Sequence, residues 1–203
     1  MNIGVISDIH GPLPEIVHEV FAGCGASLCA GDTCSLETFD ELRTIAPTTM
    51  VYGNCDRDLD YGPRVADKLT PSFDGCRFAL VHKLEDLGEL PRRCECVISG
   101  HTHVPSMETS KGVIWLNPGS PTDPREGSNP SVAIVSVEER LVTKAAIIDL
   151  TNPWPAMQDF REDTLISERG GFDEFDEFGG MGMSDRFASR GGGSAGFDFS
   201  EIC

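Results

Sequence analysis

The sequence predicts a protein of the α/β (α+β) class in which two β-sheets pack against each other. Strand-like and helix-like segments alternate over residues 1–56, which is typical of a parallel sheet covered by helices. Strand-like segments with short connections follow over residues 77–150 and indicate a second group of strands. A chain of 203 residues can hold one such domain with residues to spare.

The first half is predicted to form a β-α-β-α-β unit. Short apolar runs end in polar turns, and the segments between them carry apolar residues at helical spacing. Ser35 belongs to a residue type that caps helices, so we expect the second helix to begin after it. The predicted elements are a strand at 3–6, a helix at 14–21, a strand at 26–30, a helix with Leu36, Phe39 and Leu42 on one face, and a strand at 49–52.

The second half is predicted to form an antiparallel meander. Five apolar runs follow one another with short connections between them. The predicted strands are residues 77–82, 96–99, 113–116, 132–137 and 141–150. We therefore expect one domain over residues 1–150.

Residues 151–203 have a different composition and are expected to be a largely disordered acidic Gly/Phe-rich tail. They carry 11 Asp and Glu against 4 Arg, and 7 of the 11 phenylalanines of the chain. Low hydrophobicity with high charge favours disorder. The recurrence of phenylalanine between acidic residues favours an alternative, in which the tail docks a protein partner.

Composition excludes several classes of function. A net charge of −17 argues against an extended nucleic-acid surface, because binding to a phosphate backbone depends on clustered Lys and Arg. No run approaches the ~20 apolar residues that a membrane helix needs. The first residues lack the basic segment and cleavage site of a secretory signal, so we expect a cytoplasmic protein, and a homo-oligomer stays open.

The chain has eight cysteines, and we expect them to be reduced thiols. Disulfide frameworks belong mainly to short secreted chains with small cores, and neither CxxC pairs nor zinc-type spacing occurs here.

Polar residues with metal-ligand chemistry follow each predicted strand of the first half and two strands of the second. They are Asp8, His10, Asp32, Asn54, His82, His101 and His103. Carboxylate, amide and imidazole donors without a required thiolate suit a divalent ion such as manganese, zinc or iron. Seven donors exceed a tetrahedral site, so two adjacent ions are expected.

These residues form a pattern that resembles the calcineurin-like metallophosphoesterases, and specifically their YfcE-type small phosphodiesterase group. The matching motifs, in order, are Asp8-x-His10, Gly31-Asp32, Gly53-Asn54-Cys55-Asp56, His82, Gly100-His101-x-His103 and Asn117-Pro118-Gly119-Ser120. The resemblance covers roughly residues 1–150. It implies the metallophosphoesterase fold, a four-layer αββα sandwich of two mixed sheets flanked by helices.

The resemblance also implies a role for each residue. Asp8, His10 and His103 would hold one divalent ion. Asn54, His82 and His101 would hold the other, and Asp32 would bridge the two. Manganese is the expected metal, with zinc, iron or nickel as alternatives, and a metal-activated water would attack the phosphorus of a small phosphate ester.

Asn54, Cys55 and His101 are the expected catalytic residues. Most members of the wider superfamily have histidine at the position of Cys55, and a thiol is a poorer general acid, so we expect a modest rate and a preference for good leaving groups. The alternative is that Cys55 packs as a small buried residue. Lys83, where relatives commonly have glycine, either contacts substrate phosphate or points to solvent.

Two further features bear on the site. Asp56-x-Asp58-x-Asp60 resembles the start of a calcium-binding loop but has Tyr61 where the turn needs glycine, so we expect an exposed acidic loop. Arg125 is expected in an exposed turn, although it lies close enough in sequence to the site to reach its rim.

The expected function is hydrolysis of small phosphodiesters by a phosphoric ester hydrolase. A phosphomonoesterase of the same fold is one alternative. A non-catalytic scaffold, like the retromer subunit that shares the fold, is another, and the presence of all seven expected ligands favours an enzyme. A nuclease is disfavoured by the charge of the chain and by Cys55.

Overall fold

Two β-sheets form the centre of the structure, a computed structural model that describes residues 1–160. The elements in chain order are β1 (Asn2–Ile6), α1 (Glu15–Phe21), β2 (Ala26–Cys29), α2 (Leu36–Ile45), β3 (Thr48–Met50), β4 (Lys68–Leu69), β5 (Ser72–Phe73), β6 (Cys76–Val81), a 3-10 helix (Leu84–Leu87), β7 (Cys94–Ile98), β8 (Ser106–Ser110), β9 (Val113–Asn117), β10 (Ser131–Glu138) and β11 (Leu141–Asp149). Residues 154–160 are helical again.

The first sheet has the strand order β11-β10-β1-β2-β3. Its three N-terminal strands are parallel, as the β-α-β-α-β pattern predicts, and β10 and β11 extend it in antiparallel fashion. The Ser35 side chain accepts a hydrogen bond from the Thr38 N–H at 3.3 Å, which confirms the predicted helix cap. Phe39 and Leu42 are buried as predicted, whereas Leu36, which was expected on the same face of α2, is 43% exposed.

The second sheet has the order β4-β6-β7-β9-β8, with β5 paired to β6. The predicted antiparallel meander is wrong here, because β6, β7 and β9 are parallel to one another. The connection from β6 to β7 is about a dozen residues long and contains the 3-10 helix, which is long enough for a crossover. Only β4, β5 and β8 run antiparallel to their neighbours in this sheet.

An apolar core lies between the two sheets. Ile3, Val5 and Leu28 from the first sheet meet Phe78 and Leu80 from the second, and all five are fully buried. Hydrocarbon burial of this kind is the main driving force that holds stacked sheets together. The seam between the sheets therefore fixes the relative position of their strand ends.

Helical layers cover the outer faces of both sheets, and this confirms the predicted fold class of two mixed sheets flanked by helices. Val17 and Phe21 of α1 pack on the first sheet together with Met157 and Phe160 from residues 154–160. Within residues 1–160, the helical layer on the second sheet is the 3-10 helix, which contributes Leu87.

The expected tail begins at residue 151, and residues 161–203 lie outside the described residues. Its expected disorder and its protein partner stay predictions. Among the described residues, no helix has the length and apolarity to span a membrane.

Candidate metal centre

Six parallel strands end at one edge of the two-sheet core, and the predicted metal ligands follow them. Because all six strands run the same way, their carboxyl ends meet at this edge, where open α/β sheets bind ligands. An antiparallel second sheet would have sent His82 and His101 to opposite ends. The residues that follow these strands are Asp8 after β1, Asp32 after β2, Asn54 after β3, His82 after β6, His101 and His103 after β7, and Asn117 at the end of β9.

One group at this edge consists of Asp8, His10 and His103. The Nε2 atoms of His10 and His103 lie 3.2 Å apart, and His103 Nε2 lies 3.5 Å from Asp8 Oδ1. His103 Nδ1 donates to the backbone carbonyl of Asp123 at 2.6 Å, so its Nε2 presents a lone pair to the group. Three mutually facing donors are what a cation coordinates.

A second group is centred on Asp32 and His82. His82 Nδ1 donates to the Ala30 carbonyl at 2.8 Å, which leaves Nε2 as an acceptor. That Nε2 faces Asp32 Oδ2 at 3.3 Å, and it is a buried atom without a hydrogen-bond partner in the described part of the chain. A lone pair against a carboxylate requires either a proton or a cation between them.

Asp32 also reaches the first group, because its Oδ2 lies 3.5 Å from His10 Nε2. The same oxygen therefore faces His10 on one side and His82 on the other. A carboxylate in this position can bridge two ions.

Asn54 and His101 lie beside the second group. Asn54 Nδ2 is 3.3 Å from His101 Nδ1, and the rings of His101 and His82 are 5.2 Å apart. The backbone N–H of His101 donates to the Asp8 carboxylate at 2.9 Å. All seven predicted ligands are thus in one connected cluster, with His103 against Asp8 and His10, and His101 against Asn54 and His82.

The electrostatics of the cluster favour a cation. Burial raises the pKa of the Asp8 carboxyl, and the nearby Ser7 hydroxyl and histidines only partly offset it. Burial would also raise the pKa of Asp32, but the adjacent His82 ring and the hydrogen bond from the Cys55 N–H outweigh it and lower the pKa to about 2. A charged, buried carboxylate needs a positive partner.

The pKa values of His82 and His101 are shifted in opposite directions. Burial opposes protonation of His82, but the Asp32 carboxylate and the Ala30 carbonyl outweigh it and raise its pKa. Burial, His82 and Lys83 together lower the pKa of His101. Half-buried Lys83 therefore acts on the site through its charge, whereas Arg125 is exposed and lies 3.4 Å from Asp123.

The backbone is strained at this edge. Five of the seven predicted ligands have a positive φ, a conformation that non-glycine residues rarely adopt: Asp8 (55°), His10 (44°), Asp32 (58°), His101 (70°) and His103 (61°). Such conformations persist where the surrounding structure holds them, and they concentrate at functional sites.

Two glycines allow the turns to approach each other. A Cβ atom at Gly53 would overlap the Asp32 carboxylate, and one at Gly100 would overlap the Ser7 hydroxyl. The glycines of the Gly-Asn and Gly-His motifs are therefore required for close packing of the turns.

The Asn-Pro-Gly-Ser segment, residues 117–120, donates hydrogen bonds to the backbone of the turns after β1 and β7. Asn117 Nδ2 donates to the Gly100 carbonyl at 2.9 Å, and the Ser120 hydroxyl donates to the Asp8 carbonyl at 2.7 Å. These residues position the backbone of the ligand-bearing turns.

Asp56 contradicts the expectation of an exposed acidic loop. It is fully buried, and its carboxylate accepts hydrogen bonds from the backbone N–H groups of Asp32 (2.7 Å), Cys34 (2.9 Å) and Gly53 (2.8 Å) and from the Tyr61 hydroxyl (2.9 Å). The expectation does hold for Asp58 and Asp60, which are exposed. The signal in the sequence was the position of Asp56 in a turn rich in free N–H groups.

Two of the cysteines also contradict the expectation of reduced thiols. Cys34 and Cys55 form a disulfide with a Cα–Cα distance of 5.2 Å. Cys55 is not buried, so it does not act as a small packing residue. As part of a disulfide it has no thiol proton to donate, and the expected acid role needs the reduced form.

The donor set fits a pair of divalent ions. It combines lone pairs that face each other, a carboxylate placed between the two groups and a buried acceptor without a partner. Oxygen and imidazole donors in this proportion suit manganese, zinc or iron.

Comparison with known proteins identifies the family. Residues 1–140 match the calcineurin-like phosphoesterase superfamily domain. A probable metallophosphoesterase from Methanothermobacter thermautotrophicus is 37% identical over 153 residues, which cover 68% of this chain and 87% of the relative. Phosphodiesterase YfcE from Escherichia coli (strain K12) is 30% identical over 157 residues, which cover 64% of this chain and 84% of the relative.

The fold is shared with solved structures. Vacuolar Protein Sorting 29 from Cryptosporidium parvum superposes with a TM-score of 0.59 at 22% identity, over 72% of this chain and 94% of that protein. At this identity, the likeness concerns the fold alone. The match over residues 1–140 and the similarity of the two curated relatives show that this chain belongs to the calcineurin-like phosphoesterase superfamily and is, by class, a phosphoric ester hydrolase.

Proposed function

We propose that the protein is a metal-dependent phosphodiesterase that hydrolyses small phosphodiesters at a dinuclear centre. The single observation that carries the proposal is the position of Asp32, whose Oδ2 faces His10 Nε2 at 3.5 Å and His82 Nε2 at 3.3 Å. A carboxylate between two imidazole acceptors is the arrangement that a bridged pair of divalent ions requires.

The contacts support a division of the proposed ligands into two sets. Asp8, His10 and His103 hold one ion, because these three side chains face each other. The second ion takes His82, His101 and Asn54, and Asp32 is shared. Manganese is the proposed metal, with zinc, iron and nickel as alternatives, since the donors are oxygen and imidazole.

Divalent ions at this site would lower the pKa of a coordinated water and offset negative charge on the phosphoryl oxygens. The protein itself supplies orientation. The Asn54 amide lies at the exposed side of the cluster, where it can donate to a phosphoryl oxygen. His101 has a lowered pKa and stays neutral at pH 7, so its ring is available as a ligand.

The acidity of the chain supports a small substrate. With a net charge of −17, the protein repels an extended polyanion, while a centre that holds two divalent ions attracts one phosphate group locally. Similarity to the Escherichia coli protein named phosphodiesterase YfcE supports a diester over a monoester.

The test is hydrolysis of bis-p-nitrophenyl phosphate and p-nitrophenyl phosphate by the purified chain, with Mn²⁺ and with a chelator. We expect turnover of the diester that chelator abolishes. Asp32→Ala and His101→Ala should lose more than the roughly 10–100-fold that removal of an outer-shell partner costs.

Matched controls are available for both variants. His18→Ala removes the one histidine outside the cluster, which pairs with Glu41 on α2, and Asp40→Ala removes an exposed carboxylate of the same helix. Both should retain turnover. A metal-loaded chain that prefers the monoester would point to a phosphomonoesterase, and one inactive on both esters would point to a non-catalytic scaffold.

A further inference from the structure

The imidazole of His10 faces two different donor groups. Its Nε2 points into the candidate metal centre, 3.2 Å from His103 Nε2 and 3.5 Å from Asp32 Oδ2. Its Nδ1 points the other way, 3.2 Å from Cys34 Sγ and 4.0 Å from Cys55 Sγ. The proposed dinuclear centre uses only the first of these nitrogens.

The two cysteines are held in place independently of their disulfide. The Cys34 N–H donates to Asp56 Oδ1 and the Cys55 N–H donates to Asp32 Oδ1, both at 2.9 Å. Their turns follow the neighbouring parallel strands β2 and β3. Cleavage of the S–S bond therefore leaves both backbones where they are, with the two sulfurs still adjacent.

We propose that reduction of this disulfide creates a second kind of metal site, in which the Cys34 and Cys55 thiolates and His10 Nδ1 bind a thiophilic divalent cation of the Zn²⁺ class. Each of the three residues offers one donor atom, and the donors all lie within 4.8 Å of one another. We name this group the dithiol–imidazole site.

The distances match tetrahedral zinc. Zn–S bonds of about 2.3 Å and Zn–N bonds of about 2.0–2.1 Å place sulfur and nitrogen about 3.6 Å apart around one ion. The observed sulfur–nitrogen distances of 3.2 and 4.0 Å lie on either side of this value. Once the S–S bond is cleaved, side-chain rotations must separate the two sulfurs to the ~3.8 Å that two Zn–S bonds require. None of the three residues is buried, which leaves an entry path and a fourth position for water.

The chemistry of the two sites differs. The candidate centre offers carboxylate, amide and imidazole donors, whereas the dithiol–imidazole site offers two thiolates, which select soft ions. His10 can serve either site through opposite ring nitrogens. A neutral imidazole has one lone pair, so an ion bound at His10 Nδ1 leaves the ring proton on Nε2 and withdraws that nitrogen from the candidate centre.

The redox step is a two-electron reduction. The S–S bond breaks, and each sulfur gains one electron and one proton. A dithiol reductant supplies both electrons and both protons and becomes a disulfide. On metal binding each thiol releases its proton, so the site forms only in the reduced protein.

The experiment uses the full chain and Co²⁺ as a spectroscopic probe for the Zn²⁺ class. A phosphine reductant opens the disulfide and is itself oxidised with oxygen from water, so no competing thiol is present. We expect a thiolate-to-cobalt charge-transfer absorption in the reduced protein, its absence in the oxidised protein, and its displacement by Zn²⁺.

Cysteine variants test whether Cys34 and Cys55 are the thiolates that cause the absorption. Cys34→Ser and Cys55→Ser should each weaken Co²⁺ binding by at least about tenfold. Cys24→Ser is the matched control, because Cys24 is a partly exposed free cysteine that follows the end of α1 and belongs to neither site, and it should keep the absorption. Circular dichroism checks that each variant is folded.

A count of free thiols in the denatured protein tests separately whether the disulfide is present and can be reduced. Reduction of the Cys34–Cys55 disulfide should raise the number of free thiols by two. Equal thiol counts in the oxidised and reduced protein would contradict the proposal that reduction of this disulfide creates the metal site. A reduced protein without the absorption, or an absorption that survives in the Cys34→Ser/Cys55→Ser double variant, would overturn the metal site. None of these measurements depends on ester hydrolysis.

Discussion

At the scale of single residues, Cys55 is the position at which this chain departs from the wider superfamily it resembles. It follows Asn54, and its backbone N–H donates to Asp32 at 2.9 Å, so this position lies beside the candidate centre. A histidine there would offer a proton near neutral pH, whereas a thiol has an ordinary pKa well above 7.

Replacement of Cys55 by histidine should raise turnover. We expect an increase of roughly tenfold to a hundredfold, because a positioned general acid typically contributes more than that to proton transfer. The increase should be larger for a diphenyl ester than for a di-p-nitrophenyl ester, since the poorer leaving group needs the proton more. Steady-state hydrolysis of both esters with Mn²⁺ measures it.

The control for this variant is Cys34→Ser, which also removes the disulfide but leaves the Cys55 thiol. It separates the effect of the imidazole from the effect of losing the S–S bond. If Cys55→His is no faster than Cys34→Ser on either ester, the leaving group does not take its proton from this position.

Several residues of the cluster were predictable from sequence because each of them comes soon after an apolar run that predicts a strand. Apolar runs are easy to recognise. Polar residues directly after parallel strands lie at the same edge of the sheet, where the carboxyl ends of the strands meet. The disulfide of Cys34 and the bonds from Asp56 to the turn after β2 were not recognised, because the residues they join lie about twenty positions apart in the chain. Their pairing depends on the parallel neighbours β2 and β3, which bring the two turns together.

At the scale of elements, the turns after β2 and β3 behave as one unit. The Asp56 carboxylate accepts hydrogen bonds from backbone N–H groups of both turns and is fully buried. Loss of this acceptor would leave buried backbone donors without partners, which is among the costly changes in a folded protein.

Asp56→Ala should lower the free energy of unfolding by at least about 3 kcal/mol, since three N–H groups, two of them buried, lose their acceptor at roughly 1 kcal/mol or more each. Urea unfolding followed by circular dichroism measures the change. Asp58→Ala is the matched control, because Asp58 is exposed two residues away and should change stability by less than about 0.5 kcal/mol. Equal midpoints for the two variants would mean that Asp56 does not hold the turns.

Strand direction was the part of the fold that the sequence pattern could not decide. An apolar run such as Val97-Ile98 predicts a buried strand in either direction, and direction depends on the length and path of the connections. The edge strand β8 was missed for a different reason: all five of its residues are exposed, so its sequence shows no alternation.

At the scale of the whole molecule, the candidate centre lies where the two sheets meet, and each sheet contributes ligands from its own parallel strands. Asp8, Asp32 and Asn54 follow strands of the first sheet, while His82 and His101 follow strands of the second. The geometry of the centre therefore depends on the packing of one sheet against the other. Any segment that stabilises this packing acts on the site without touching it.

Residues 154–160 pack on the helix-covered face of the first sheet, and they lie beyond the domain boundary at residue 150 that composition predicts. Met157 and Phe160 are each 3% exposed and pack in the core between the helices and the first sheet. The Phe160 carbonyl accepts a hydrogen bond from the Asn2 side chain at 3.5 Å, which ties the segment to β1. Composition does not reveal this packing, because a few apolar residues in a short proline-containing stretch next to an acidic segment look like part of the tail.

The double variant Met157→Ala/Phe160→Ala in the full chain should lower the free energy of unfolding by roughly 3–6 kcal/mol, because each buried side chain contributes roughly 1.5–3 kcal/mol. Gln158→Ala is the control on the same segment, since Gln158 is exposed, and it should stay within about 0.5 kcal/mol of the parent. Urea unfolding compares the three proteins. An unchanged midpoint in the double variant would place the end of the domain near residue 150, as composition predicts, whereas the expected loss extends the folded domain to at least residue 160.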